Sequence, residues 1–340
     1  MSQQVVVTGI RATGRMHLGN YLGVLRRLGE LSRDPDKKCF FFVADLHTLT
    51  TLKDAADIRR HAPEIIRDII AAGVDMERSV IYVQSDVPSV TELTWMLACI
   101  TPDGELGSLP TFKDKARKHS DDVNAGLRFY PVLMAADILG PRANLVPVGA
   151  DQKPHLEITQ QIARRFNRIY ETDLFPFPDA MEQEMVSVPG LVAQNDRGGF
   201  DKMGKSEDED ITLYLSDTAD AMWEKLAKAP TDPARRRRSD PGNPDKCAIY
   251  KLHEVVSSGP TIQEVRSGCQ TAGIGCIDCK RKLAGHITDT LADFRVRRAD
   301  LANRPQIVRE VTQAGKTIAE VAFKDTIAQA RDLMGIGPIS

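Results

Sequence analysis

Three groups of residues in this 340-residue chain have the types and spacing to do chemistry. Cys247, Cys269, Cys276 and Cys279 fall within 33 residues as C-x21-C-x6-C-x2-C, whereas Cys39 and Cys99 stand apart. A C-x-x-C hairpin with two further thiols supplies four soft ligands, which suit zinc and iron–sulfur clusters alike. Zinc sites more often pair two such hairpins, and one is present; four reduced core cysteines are the plainer alternative. The second group, Gly9, Arg11, Thr13, Gly14, His17, Gly19 and Asn20, follows a short β-branched run at residues 5–8. Its glycines allow close backbone approach, and the helix beginning there offers free N–H groups and a positive dipole to a phosphate. His17 and Asn20, one turn apart, can both donate to the same phosphate oxygens. The third group, G-F-D-K-M-G-K-S at residues 199–206, satisfies G-x-x-x-x-G-K-[ST] letter for letter. A P-loop must leave a buried strand and open into a helix. Here the preceding residues are polar, and Glu207, Asp208, Glu209 and Asp210 follow. What remains is a loop in which Lys202 and Lys205 are spaced to neutralise a polyphosphate.

Such residues need a scaffold, and the first half of the chain reads as one. Residues 39–44 form an apolar run expected as a strand buried on both faces, and residues 58–72 a helix ended by Gly73. S-V-I-Y-V-Q at 79–84 and N-L-V-P-V at 144–148 add two more strands. Strands alternating with helices predict an α/β fold with a doubly wound, Rossmann-like parallel sheet and ligands at the carboxyl ends of its strands. From about residue 212 the strand-like runs vanish and helical periods take over, as in Ile307, Val308, Val311, Ala314, Ile318 and Val321. The proline-rich stretch 231–246, with the run Arg235, Arg236, Arg237 and Arg238, reads as an exposed connector. The expected division is therefore a nucleotide-binding domain over 1–212 and an all-α domain over 213–340, whose last helix can pack back on the first.

Composition sets outer bounds. Forty-five Lys and Arg against 47 Asp and Glu leave a net charge of −2, so no global field draws DNA or a membrane. With 42% hydrophobic and 27% charged residues the chain is of globular type. No apolar run approaches a membrane span, and residues 1–7 lack a basic region before an apolar core, so a cytoplasmic protein with reduced thiols is expected.

In order and separation, H-L-G-N at 17–20 and K-M-G-K-S at 202–206 resemble the two signature motifs of class I aminoacyl-tRNA synthetases. Y-P-V-L-M-A-A-D-I-L at 130–139 and V-P-V-G-A-D-Q at 146–152 are similar to the amino-acid pocket of bacterial tryptophanyl-tRNA synthetases, and the likeness spans nearly the whole chain. The resemblance implies ATP-dependent activation of L-tryptophan to its adenylate, release of pyrophosphate, and transfer to tRNA(Trp) by a homodimer. By the same resemblance Gly9, Arg11, Thr13, Gly14, His17, Gly19, Asn20, Gly149, Asp151, Lys202, Met203, Lys205 and Ser206 hold ATP with Mg2+. His17, Asn20, Lys202 and Lys205 would act on the phosphates. Val7, His47, Tyr130, Met134, Asp137, Val146, Val148 and Gln152 would form the tryptophan pocket, with Asp137 accepting the indole N–H and Tyr130 and Gln152 holding the amino group. Two departures stand out: Gly204 replaces the usual serine, and Arg11 stands where many bacterial members carry glutamine.

A subset of the family with nearly this cysteine spacing binds a 4Fe-4S cluster in the helical domain near the anticodon-binding surface, which favours that cluster over zinc. Arg235, Arg236, Arg237, Arg238, Lys280, Arg281 and Lys282 bracket the cysteines and are the expected tRNA contacts. The rival readings are a tyrosyl-tRNA synthetase, a paralogue that binds tryptophan without charging tRNA, and a P-loop ATPase.

Overall fold

The computed structural model describes residues 3–110, 112–113, 117, 123–149, 152–182, 186–204 and 209–337. Five strands, β1 (Gln4–Ile10), β2 (Lys37–Val43), β3 (Ser79–Val83), β4 (Leu145–Val148) and β5 (Asp179–Glu182), form a parallel sheet in the order β3-β2-β1-β4-β5. The expected α/β fold is present, with β5 added to the strands expected from the sequence. Successive side chains of a strand point to opposite faces. Val6, Cys39, Phe41, Val43 and Ile81 accordingly enter one core, and Val7, Phe40, Phe42, Val80 and Tyr82 the other. A strand covered on both faces reads as an unbroken apolar run, which is why residues 39–44 were legible.

Helices cover both faces. α1 (Leu18–Asn20) opens directly after the glycine-rich loop, widens into a π turn at Tyr21–Leu25, and continues as α2 (Arg26–Ser32). After β2 come the short α3 (Asp45–Thr48) and then α4 (Ala55–Ala71), whose N-cap Asp54 accepts from Asp57 N–H at 2.9 Å. Gly73 follows α4 with φ +85°, the left-handed conformation that suits glycine after a helix. α5 (Ser89–Cys99), α6 (Asp103–Ser108), α7 (Ala125–Leu139) and α8 (Lys153–Ile169) complete this part. Beyond it lie α9 (Ala219–Lys228), α10 (Ala248–Val256), α11 (Gly259–Gln270), α12 (Cys276–Thr290), α13 (Ala292–Asn303) and α14 (Pro305–Leu333).

The helical part is not a separate body. One hydrophobic cluster runs from Val6 and Leu25 through Leu226, Ile249, Leu283 and Phe294 to Val308. Between α13 and α4, Arg298 donates from Nε to Asp68 and from Nη2 to Glu64, both at 2.7 Å. Burial pushes the Asp68 carboxyl up to about 6, against the pull of Arg298. The connector expected to be exposed is instead partly folded in: Asp232 and Arg235 are buried, and Asp232 accepts the backbone N–H groups of Ala234 and Asn243.

α14 packs against the sheet and has a specific task. β3 is an edge strand, whose unpaired backbone would template aggregation if left open, and α14 packs against it. Contact is close enough that a Cβ on Gly315 would overlap the Ile81 carbonyl, while Phe323 lies over Gly140 and Thr326 donates to the Gly140 carbonyl at 2.7 Å. Gly315→Ala should therefore invert the usual helix rule. Alanine in a helix interior normally stabilises by about 1 kcal/mol, but here overlap with backbone should cost on the order of 2 kcal/mol. A urea midpoint lower than that of the unaltered protein is expected; a raised midpoint would contradict the packing.

Candidate active site and cysteine pocket

The strand order reverses between β1 and β4, the place where open α/β sheets bind ligands. Their ladder is present at Val6↔Leu145. At the carboxyl ends of these strands lies a cavity of 360 Å³. All eight residues expected in the amino-acid pocket line it: Val7, His47, Tyr130, Met134, Asp137, Val146, Val148 and Gln152. Gly9 and Arg11 reach it from the first loop, and Phe42 forms a wall beside Gly9, where a Cβ would come within 2.5 Å of the ring.

At its polar end Asp137 is only 2% exposed, set in α7 among buried Ala135, Ala136 and Ile138. Burial raises its pKa; hydrogen bonds from His47 and then Gln84 oppose the rise. His47 Nε2 lies 2.8 Å from Oδ2, and Gln84 Nε2 donates to Oδ1 at 2.8 Å and Oδ2 at 3.0 Å. On another wall, Tyr130 Oη is 2.6 Å from His155 Nε2, and His155 Nδ1 is 3.1 Å from Gln152 Oε1. With the Gln152 amide oxygen facing Nδ1, a neutral ring would carry its proton on Nδ1 and accept from the tyrosine at Nε2. The Tyr130 hydroxyl is thereby fixed in orientation where it lines the cavity.

Gln84 and His155 were not singled out from the sequence. Gln84 had a signal, since a polar residue ending an apolar strand sits where such folds place ligands. His155 had a weaker one, its Q-x-x-H spacing from Gln152.

The first loop is tied to the β2 end. Ala12 N–H donates to Thr48 Oγ1 at 2.9 Å, and Arg11 Nη2 donates to Thr51 Oγ1 at 2.5 Å. Burial lowers the Arg11 pKa. His17 is buried, its backbone N–H held by Asn20 Oδ1 at 3.0 Å, and a Cβ on Gly19 would press on its ring. Neither His17 nor Asn20 lines the 360 Å³ cavity, and Thr13 and Gly14 line a separate one of 700 Å³ beside α4. Gly149 follows β4 directly. Lys202 bridges Pro189 through its backbone and exposes its side chain, and neither it nor Met203 lines the cavity. Met203, expected at ATP, sends its side chain into the core, as a thioether flanked by apolar groups does. Asp151, Lys205 and Ser206 lie outside the described residues. The two loops are nonetheless joined: Arg15 pairs with Glu209 and stacks 3.8 Å over the Tyr214 ring, while Leu18 N–H donates to Leu213 O at 2.9 Å. Among the described residues, no strand enters and no α-helix leaves the 199–206 segment as a P-loop would require.

A family model described as tRNA synthetases class I (W and Y) matches residues 2–292. The chain belongs to this class I synthetase family. It is 38% identical over 333 residues to the tryptophan–tRNA ligase of Deinococcus radiodurans, covering 97% of this chain and 98% of that one. With the tryptophan–tRNA ligase of Thermotoga maritima it shares 37% over 336 residues, covering 97% and 99%. The crystal structure of Campylobacter jejuni tryptophanyl-tRNA synthetase, complexed with ADP and tryptophan, matches with a TM-score of 0.85 at 27% identity and covers 98% of this chain and 100% of that one.

In this class I synthetase, Cys247, Cys269, Cys276 and Cys279 line one small cavity beside α10 and α12. Among the described residues no three metal-binding side chains are placed to hold a single ion. Burial raises the thiol pKa of Cys247 and Cys269 and pushes Cys279 up to about 12. The surroundings nevertheless suit sulfur carrying negative charge. Backbone N–H groups of Tyr250 and Ile249 reach Cys247, Arg235 Nη1 lies 3.9 Å from Cys269 Sγ, and a Cβ on Gly242 would sit 2.7 Å from that sulfur.

Two of the expected tRNA contacts are turned inward. Arg235 is buried and spends its guanidinium on Cys269 and on the carbonyls of Arg238 and Ile274. Lys280 is also buried and caps α9, donating to Ala227 O at 2.8 Å and Ala229 O at 2.7 Å, carbonyls a helix end leaves unpaired. Arg236, Arg237, Arg238, Arg281 and Lys282 are exposed.

Proposed function

We infer that this chain is a tryptophan–tRNA ligase (EC 6.1.1.2), which activates tryptophan with ATP, releases pyrophosphate and transfers the amino acid to tRNA(Trp). The observation that carries this reading is an apolar cavity at the β1/β4 switch point with one buried carboxylate at its polar end, in a chain whose full-length relatives are tryptophan–tRNA ligases. Indole offers one polar handle, its N–H, and Asp137 is the acceptor proposed for it. Met134, Val146 and Val148 enclose the ring. Tyr130 and Gln152 accept from the ammonium, which leaves the tryptophan carboxylate toward the first loop.

A carboxylate oxygen attacks the α-phosphorus of ATP, the bond to the bridging β-phosphate oxygen breaks, and the electron pair leaves with pyrophosphate. The protein forms no covalent bond; it supplies position and charge. Gly9, Arg11, Thr13, Gly14, His17, Gly19, Asn20 and Gly149 are proposed to hold the nucleotide. Lys202, with Asp151, Lys205 and Ser206 outside the described residues, would meet the phosphates, and Mg2+ would travel on them. Residues 1–212 are read as the catalytic part and 213–340 as the anticodon-binding part, in a cytoplasmic homodimer. Among the described residues no helix is long and apolar enough to cross a membrane. Exposed Trp95 on α5 and Phe129 on α7 are apolar surface available to a second copy.

For the four cysteines we propose a 4Fe-4S cluster. The donor set fits it: four thiols around one cavity, hydrogen-bond donors on Cys247, and a buried cation at Cys269. Four thiolates also suit zinc, and metal analysis separates the two. When bound, such a cluster would cross-link α10, α11 and α12 and is available for one-electron chemistry.

Tryptophan-dependent pyrophosphate exchange tests the activity; exchange driven by tyrosine instead, or ATP hydrolysis without any amino acid, would overturn it. Asp137→Ala should lower kcat/KM for tryptophan by on the order of a hundredfold. The double replacement Arg236→Ala with Arg237→Ala should weaken tRNA charging and leave exchange intact, whereas equal loss in both assays would remove these residues from the tRNA surface. Anaerobically purified protein should contain iron and acid-labile sulfide; zinc in their place would refute the cluster.

A further inference from the structure

We propose that Gln84 is a positioning residue for tryptophan selection, holding both oxygens of Asp137 from behind the cavity so that Oδ1 presents a single free acceptor site to the indole N–H. This rests on the reading of Asp137 as the indole acceptor and extends it to a residue that does not line the cavity. Gln84 is 1% exposed and stands at the carboxyl end of β3.

The orientation of its amide follows from the hydrogen bonds. His47 N–H points at Gln84 Oε1 at 3.4 Å, which turns the NH2 group toward Asp137, at 2.8 Å from Oδ1 and 3.0 Å from Oδ2. A carboxylate offers roughly four acceptor sites, two on each oxygen. Gln84 occupies one on each, and His47 Nε2 takes a second on Oδ2. One site remains, on Oδ1. The amide thus decides which oxygen meets the ligand, and it fixes the carboxylate plane.

The groups facing Asp137 are few. From the segment after β2 come His47 and Asp45, the latter held by Ser85 N–H at 3.0 Å; β3 contributes the buried Tyr82 and then Gln84; α7 itself contributes Tyr130, and Arg11 lines the same cavity. Burial and Asp45 favour the neutral acid, whereas His47 and Gln84 favour the carboxylate. A neutral acid carries its own hydrogen and is a poorer acceptor. Removing the Gln84 donors must therefore move protonation of Asp137 to higher pH, and tryptophan recognition should fail earlier as pH falls.

The experiment is tryptophan-dependent pyrophosphate exchange with Gln84→Met, close in shape but without donors, and Gln84→Asn, which keeps an amide but withdraws it by one methylene. KM for tryptophan should rise about ten- to a hundredfold, with KM for ATP unchanged. The acidic limb of kcat/KM for tryptophan should move to higher pH. Preference for tryptophan over 3-(benzothiophen-3-yl)alanine, with sulfur in place of N–H, should shrink. If both amino acids lose equally and the acidic limb stays in place, Gln84 is only a packing residue and the proposal is overturned. The asparagine variant carries the test if the methionine variant does not fold. Failure of the underlying reading looks different: the unaltered enzyme would show no preference for the N–H, or Asp137→Ala would keep it.

Discussion

A carboxylate buried among alanine, isoleucine and methionine side chains is unstable unless other groups are brought to it. Asp137 is that carboxylate, and the strand ends around it are arranged by its demands. Its helix, α7, reaches it from one side. The chain leaving β2 delivers His47, and the chain leaving β3 delivers Gln84, so the ends of two adjacent parallel strands meet on one side chain. The backbone N–H of His47 in turn orients the Gln84 amide. With Asp137 as the proposed indole acceptor, selectivity would follow from the same cost. Two groups that stabilise the carboxylate occupy all but one of its acceptor sites, and a ligand that does not fill the last leaves a buried acceptor unpaired.

The sheet depends on coverage as much as on pairing. Its two faces are buried by different helices, but the β3 edge is closed by α14, the last helix of the chain. Gly315 permits the approach to Ile81, and the Phe323 and Thr326 contacts to Gly140 fix α14 against α7, the helix that carries Asp137. Arg298 makes a second tie, from α13 to α4. The helical part is thus bonded to the sheet-bearing part at two separated places.

The cysteine pocket is a different electrostatic problem. Burial first, and crowding of the thiols second, raises the pKa of Cys247, Cys269 and Cys279 and favours the neutral form, yet a cation and backbone donors are aimed at their sulfurs. That arrangement is wasted on neutral thiols and suits ligands that carry negative charge. Arg235 is the clearest case: a member of a four-arginine run that turned inward while its neighbours stayed in solvent.

Sequence alone determined four strands of the sheet, because a strand buried on both faces must be continuously apolar, and it marked the two signature loops by the resemblance of their motifs to a family. Motifs whose likeness to a family was specific also pointed to eight of the sixteen residues that line the cavity. Only the tertiary structure decided which of those groups act through others. Gln84 and His155 reach their partners across 53 and 25 residues, and nothing local marks such a meeting. Burial of Arg235 and Lys280 was likewise invisible, since a run of basic residues reads as solvated until a pocket and a helix end are seen to need its hydrogen-bond donors. Periodicity reports which face of an element is apolar; it is silent on which polar group from another element will be brought to satisfy a buried one.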